Sequence, residues 1–178
     1  VDRSLTFDRL YEAYYNDVYQ YVFYSVSHRA QAEDLTQEVF IRALLAYDRF
    51  RGESTEKTWL FAIARRAVID WYRKKRKEVL FDFTAWKQLP SHEALPDELA
   101  EAKDDTVALY KGIRKLKPNY RDVIILRSIQ DLSIKETADI MGWSVTKVKV
   151  THHRAIKKLK EIVGPEFSAY TDQEVRSP

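Results

Sequence analysis

Apolar side chains recur every three or four positions along most of this 178-residue chain, the spacing of a helical face rather than of a strand. Over 7–26, Leu10, Tyr14, Val18, Tyr21 and Ser25 keep that spacing in a stretch dense in aromatics, which predicts an amphipathic core helix. The tyrosines are read as packing, because stacking platforms for bases carry interleaved Lys or Arg and none separates these. Ser27, His28 and Arg29 read as a turn, with His28 a surface loop residue. A second helix is expected over 32–50, buried along Leu35, Val39, Ala43 and Leu44 with Phe40 and Tyr47 alongside. Its Asp34, Gln37, Glu38 and Arg42 share a different face, which periodicity alone reads as solvated. Glu38 and Arg42 are spaced to pair, for only about 0.3–0.5 kcal/mol. A polar loop over 51–58 leads to a third helix over 59–77, lined by Leu60, Ile63, Ala67 and Trp71.

The pattern lapses over 78–105, which contains Pro90 and Pro96 and reads as a linker with a short helix around 97–103. Helical spacing returns over 106–116. Pro118 then starts another helix through Tyr120, Val123, Ile124 and Arg127, with Ile125, Leu126 and Ile129 widening the apolar surface. Asp131 and Leu132 turn into a helical hairpin over 133–160. Ser133 and Glu136 have the spacing of a capping box, Ala138 leaves room for a close neighbour, and Gly142 stands where the chain must turn. Ser144 caps the next helix, whose inward stripe is Val145, Val148, Ala155, Ile156 and Leu159, with His152 near it. Thr146, Val150, His153, Arg154 and Lys157 face outward, flanked by Lys147 and Lys149. This is the layout of a helix-turn-helix, whose second helix enters the DNA major groove. An ordinary αα-hairpin fits the basic outer face less well. Beyond 164 the chain is polar and is expected to be poorly ordered.

Composition narrows the class. Four glycines and five prolines are too few for an all-β chain, and the absence of cysteine excludes disulfides and thiolate metal sites. No apolar run approaches the roughly 20 residues needed to span a bilayer, and the first residues show no signal-peptide pattern. The net charge of +3 conceals an alternation. Residues 1–50 carry 5 Lys/Arg against 8 Asp/Glu, 51–77 carry 9 against 3, 78–105 carry 2 against 8, and 106–178 carry 14 against 8. Two basic blocks separated by an acidic one suggest two nucleic-acid contacts on one chain. Arg65, Arg66 and the run from Arg73 to Lys77 carry most of the first, where Trp71 and Tyr72 are candidates to stack on unpaired bases. Trp71 reads better as core.

The expected fold is therefore all-α: two small helical domains joined by a flexible acidic linker, the second containing the helix-turn-helix. The boundaries fall at 1–77, 78–105, 106–163 and a polar tail over 164–178. Enzymatic function is poorly supported. There is no nucleophile–base spacing, zinc-ligand pattern or Gly-rich phosphate loop, and His28, His92, His152 and His153 form no recognisable catalytic set. Adjacent histidines at 152 and 153 point about 100° apart on a helix, a weak metal signal, so no cofactor is expected. A stand-alone helix-turn-helix regulator remains an alternative; it would bind a symmetric operator without a polymerase.

Three stretches occur here in a telling order: AEDLTQEVFIRA at 32–43, TWLFAIARRAVIDWYRKKR at 58–76, and the terminal hairpin. Their sequence resembles the extracytoplasmic-function sigma factors of bacterial RNA polymerase, over about residues 5–163. The resemblance implies a non-catalytic subunit that directs core polymerase to promoters, one domain melting the −10 element and the other reading the −35 element. It implies that Asp34, Gln37, Glu38 and Arg42 bind the polymerase β′ clamp helices, and that the second domain meets the β flap. It further implies that the loop Gly52, Glu53, Ser54, Thr55, Glu56 and Lys57 holds a flipped −10 base, and that Arg65, Arg66 and Arg73 follow the melted strand and upstream duplex. Lys149, Val150, His153 and Arg154 are implied at the −35 major groove, with Thr146 and Lys147 nearer phosphates, and the acidic linker in the polymerase cleft. The implied location is cytoplasmic, with an anti-sigma factor, often membrane-anchored, as a further partner. This chain departs from the family pattern at Arg66, commonly Asn, at Val150, commonly Ser, and at Thr151 and Ile156, commonly Arg.

Overall fold

A computed structural model describes residues 3–81 and 99–164, which are helical with no strand among them. The chain divides into two compact units, Val1–Ala94 and Leu95–Pro178. In the first, α1 (Arg3–Val26), α2 (Arg29–Ala46) and α3 (Glu56–Phe81) each pack against the other two. The predicted stripes meet in the middle: Leu10, Val18 and Tyr21 of α1, Leu35, Val39, Phe40 and Ala43 of α2, and Leu60 and Ala67 of α3 are buried, whereas Tyr14, Leu44, Ile63 and Trp71 are half-buried and Phe61, which the stripe omits, is fully buried. Rings four residues apart on α1 form a continuous ladder. Centroid separations run 5.5 Å for Phe7–Tyr11, 4.7 Å for Tyr11–Tyr15, 6.1 Å for Tyr15–Tyr19 and 5.9 Å for Tyr19–Phe23. Phe40 of α2 lies against Tyr11 at 5.0 Å. Aromatic pairs of this kind add about 0.5–1.5 kcal/mol beyond area burial. Tyr21 is fully buried, while Tyr11, Tyr15 and Tyr19 are half-buried and pack on one another and Phe40 at the rim of the core.

Helix ends differ from expectation for local reasons. α2 starts at Arg29 instead of 32 because His28 is its cap: the Gln31 N–H donates to His28 Nδ1 at 3.4 Å. The regular helix ends at Ala46, and Tyr47–Arg49 form a tighter turn, closed by the Phe50 N–H donating to Tyr47 O. α3 runs past the expected boundary at 77 to Phe81. Of the expected short helix at 97–103, Leu99 is in 3-10 conformation and 100–102 form a turn closed by the Ala102 N–H on Leu99 O at 3.2 Å; the rest of it, and most of the acidic linker, lie outside the described residues. So does the tail from 165.

The second unit contains α4 (Asp104–Lys115), α5 (Pro118–Ile124), α6 (Ile134–Met141) and α7 (Val145–Val163). α4 starts with Asp104 and Asp105 and ends with Arg114 and Lys115, each matching the sign of the helix dipole at its end. Its last carbonyls are capped from α5: the Arg121 guanidinium donates to Arg114 O at 2.9 Å and to Leu116 O at 3.1 Å. After α5 the helix widens into a π-turn, Ile125–Ile129, ending with the Gln130 N–H on Ile125 O. Periodicity does not register this single extra residue per turn, since Ile125 and Leu126 are buried either way.

α7 packs against α4, α5 and α6, so it is the centre of this unit. Gly112 makes one of these contacts possible. A Cβ there would stand 2.4 Å from Val163 Cγ2 and 2.9 Å from Leu159 Cδ1 of α7. Gly112→Ala therefore sets a gain of about 1 kcal/mol in helix propensity against an overpacking cost of about 1–3 kcal/mol, and the expected outcome is net destabilisation of the second unit. Amide exchange of residues 104–163 in the full chain should show faster opening for G112A and recovery in G112A/V163A. Slower opening in G112A would contradict the close packing.

Candidate polymerase and promoter interfaces

The turn at 142–144 aims α7. Ser133 and Glu136 cap α6 reciprocally: the Glu136 N–H donates to Ser133 Oγ at 3.1 Å, and the Ser133 N–H to Glu136 Oε2 at 2.8 Å. α6 stops at Gly142, whose φ of +65° is left-handed backbone that glycine enters without steric cost. The Trp143 N–H donates back to Ala138 O at 3.0 Å and the Gly142 N–H to Asp139 O, a Schellman closure. Ser144 Oγ then accepts from the Lys147 N–H at 3.1 Å and starts α7, and Lys147 Nζ sits 4.1 Å from the centre of the Trp143 ring.

Val148, Ala155 and Leu159 are buried as the stripe predicts, and Ile156 is half-buried. Val145 departs from it, being 42% exposed: it stands about 60° around the helix from Val148, in the first turn of α7. His152 is half-buried with Nε2 3.3 Å from Ser128 Oγ. Burial chiefly, with Arg127 and His153 nearby, pushes its pKa down to about 4, so this imidazole is neutral at physiological pH. Thr146, Lys147, Lys149, Val150, His153 and Arg154 are all exposed.

On α2, Asp34, Gln37 and Glu38 are exposed, as their spacing predicts. Ile41 at 55% and Leu45 at 70% exposure continue the same face, an apolar extension that the stripe analysis missed. Arg42 is half-buried and bridges two carboxylates whose side chains are exposed. Its guanidinium donates to Glu38 on its own helix and to Asp70 Oδ2 of α3 at 2.9 Å, joining two helices 28 positions apart. Asp70 has no marking in the sequence; only the packing of α2 on α3 brings it to Arg42.

The loop before α3 is anchored at both ends. Tyr47, Phe50 and Trp59 form an aromatic cluster, with Phe50–Trp59 centroids 5.0 Å apart and Tyr47–Trp59 5.9 Å apart. Thr55 Oγ1 accepts from the Thr58 N–H at 3.1 Å and caps α3. Glu56 takes a forked pair of hydrogen bonds from Arg9 of α1, at 2.7 and 2.6 Å, and another from Tyr47 Oη at 2.7 Å. Those Arg9 bonds, against partial burial and aided by Tyr47, hold the Glu56 carboxyl down to about 2. Lys57 pairs with Asp17 of α1 at 3.1 Å. Of the six loop candidates, Gly52, Glu53 and Thr55 are exposed and Ser54 half-buried, while Glu56 and Lys57 are engaged with α1. Along α3, Arg66 and Arg73 are exposed and Arg65 half-buried. Tyr72 lies edge-on to Trp71 at 4.8 Å and its hydroxyl donates to Ser25 O, tying α3 to α1.

Comparison with known proteins places both units. Residues 10–78 match the model of Sigma-70 region 2, and residues 106–159 that of Sigma-70, region 4. The chain is 43% identical over 176 residues to the ECF RNA polymerase sigma factor SigX of Bacillus subtilis, covering 96% of this chain and 90% of that one. It belongs to the ECF sigma factors. It is also similar to RNA polymerase sigma factor YlaC of Bacillus subtilis, at 36% identity over 159 residues, covering 85% of this chain and 88% of YlaC. Among solved structures it resembles RpoE of Bartonella quintana, crystallised with the anti-sigma factor NepR, with TM-score 0.77 and 25% identity over 89% of this chain and 96% of RpoE. As a sigma factor it is not a catalyst; it directs RNA polymerase to promoters. Region 2 thus takes in the α2 face, the anchored loop and the basic α3, and region 4 the helix-turn-helix.

The Arg9–Glu56 pair has a pH signature. In the unfolded chain Glu56 protonates near 4.5, whereas in the folded protein it resists until about 2, so its contribution is fully present above 4.5 and is lost as pH falls towards 2. Arg9 is 53% exposed, so solvent screening limits the pair to about 1 kcal/mol. Glu56→Gln should lower region 2 stability by about that amount at pH 7 in urea unfolding, with the deficit shrinking below pH 4.5. A deficit unchanged at pH 2.5 would exclude the ion pair as its cause.

Proposed function

We propose that this sigma factor contacts core polymerase through Asp34, Gln37 and Glu38, the −10 region through the loop and α3, and the −35 element through the outer face of α7. The observation that carries this reading is exposure: every residue named for α2 and α7 is exposed, as are Gly52, Glu53, Thr55, Arg66 and Arg73, while the opposite face of each helix is buried. On α2, the acidic row offers the β′ clamp helices a face of set geometry, with Arg42 holding Glu38 from behind. Gly52, Glu53, Ser54 and Thr55 receive a flipped −10 base; Glu56 and Lys57 hold that loop against α1. Extruding a base costs a few kcal/mol, which strand contacts from Arg65, Arg66 and Arg73 must offset, with Tyr72 bracing their helix. Lys149, Val150, His153 and Arg154 face the −35 major groove, Thr146 and Lys147 its phosphates, and region 4 also meets the β flap.

An anti-sigma factor is the expected regulator, as NepR is for RpoE. Its target is the same exposed α2 face, continued by Ile41 and Leu45, so binding it would exclude polymerase. Work on promoters places the protein in the cytoplasm. Among its described residues no helix is long and apolar enough to cross a membrane.

Reconstitution with core polymerase and mapping of run-off transcripts across a genomic promoter library tests the whole reading. Initiation at a defined promoter set is expected; operator binding without polymerase, and no initiation with it, would instead support a stand-alone regulator. Glu38→Ala should weaken core binding at least tenfold in a fluorescence titration while leaving the fold intact, and wild-type affinity would remove the α2 assignment. Arg154→Ala should reduce discrimination between the −35 element and scrambled duplex by about tenfold, the scale of one bidentate base contact.

A further inference from the structure

Val150 is an apolar point in a polar field. It is 42% exposed, and its neighbours on the same face, Thr146, His153 and Arg154, are exposed polar or cationic side chains, as is adjacent Lys149. The other exposed valine of α7, Val145, lies five residues away, about 140° around the helix, so the two make no common patch. Nor can Val150 roll inward. Burial of Val148, Ala155 and Leu159 fixes the rotation of α7, and Val150, two residues from Val148, stands about 200° from it. A single exposed valine is ordinary on a protein surface. Here its place, central on the face that carries the base-reading groups, gives it meaning.

The side chain narrows what it can recognise. An isopropyl group neither donates nor accepts a hydrogen bond, and a major-groove edge of unmodified DNA offers one apolar feature, the C5-methyl of thymine. A valine in a helix holds one strongly preferred χ1, so its methyls are presented with little entropy left to lose. Arg154 and Lys149 are suited to guanine edges and phosphates and cannot substitute in this contact. We propose that Val150 is a specificity determinant of region 4 that reads the methyl group of one thymine in the −35 element. The inference rests on the assignment of the outer face of α7 to that element.

The test uses reconstituted holoenzyme and a promoter fragment it transcribes. Each dT of the −35 element, on either strand, is replaced singly by dU, which removes only the methyl. Wild-type holoenzyme should lose about fourfold in affinity at one position, the value of one buried methyl group. The loss should be the same at low and high salt, because a methyl contact releases no counterions. Val150→Ala should bind the dT and dU fragments equally at that position, and Val150→Thr, which keeps a methyl, should retain part of the difference. Equal wild-type binding to every dU fragment, or undiminished discrimination in Val150→Ala, would overturn the proposal. Scrambling the whole −35 element separates the two levels. If scrambling weakens binding but no dU substitution does, only the thymine contact is wrong; if scrambling has no effect, the placement of α7 falls and Val150 with it.

Discussion

A helix with charge on one face can be aimed only by what its other face buries. α7 illustrates this constraint, and the second unit is built around it: Val148, Ala155 and Leu159 are sealed against α4, α5 and α6. The surrounding features serve that seal. Gly112 brings α4 into contact with the C-terminal turns of α7, Arg121 closes the end of α4, and Gly142 sets the turn from α6. His152 stays neutral against Ser128, so a polar ring is accommodated at the seam without a buried charge. With its rotation fixed, α7 presents Lys149, Val150, His153 and Arg154 together, which is what reading a groove requires.

Region 2 poses a different problem, since one of its proposed contact surfaces is a loop. Loops are precise only where their ends are held, and here both are. The Tyr47–Phe50–Trp59 cluster fixes the entry, and the Arg9–Glu56 and Asp17–Lys57 pairs fix the exit to α1. Exposed ion pairs contribute little to stability, so their value lies in geometry. Arg42 has the same character: by spanning Glu38 and Asp70 it sets the carboxylate of one surface against the helix that carries the other. The aromatic ladder on α1, packed on Phe40, supplies the rigid base beneath both surfaces.

The charge alternation along the chain follows the same division of labour. On α3, Arg66 and Arg73 remain exposed on the outer surface, where they can exchange counterions for phosphates. Near the loop, by contrast, Arg9 and Lys57 are taken up by carboxylates of their own unit. Basic residues of one unit thus differ in their surroundings, and the difference is set by whether a folded neighbour supplies an acid.

Much of this was legible in the residues themselves. Helical spacing, the Ser133–Glu136 cap, Gly142 and Ser144 are local features, governed by contacts within one turn, so the all-α class, the two domains and the helix-turn-helix could be read directly. The ordered motifs carried the family as well. What only the tertiary structure decided involves partners far apart in sequence. Arg42 finds Asp70 28 positions away, Arg9 finds Glu56 47 away, and Tyr72 finds Ser25 47 away, so three of the residues expected to make contacts are also bonded within their own unit. Gly112 shows the same limit, because its reason for lacking a side chain is Val163 on another helix. Periodicity determines which face of a helix turns inward; only the packed neighbour determines which polar groups on the rim are already engaged and which are left for polymerase and DNA.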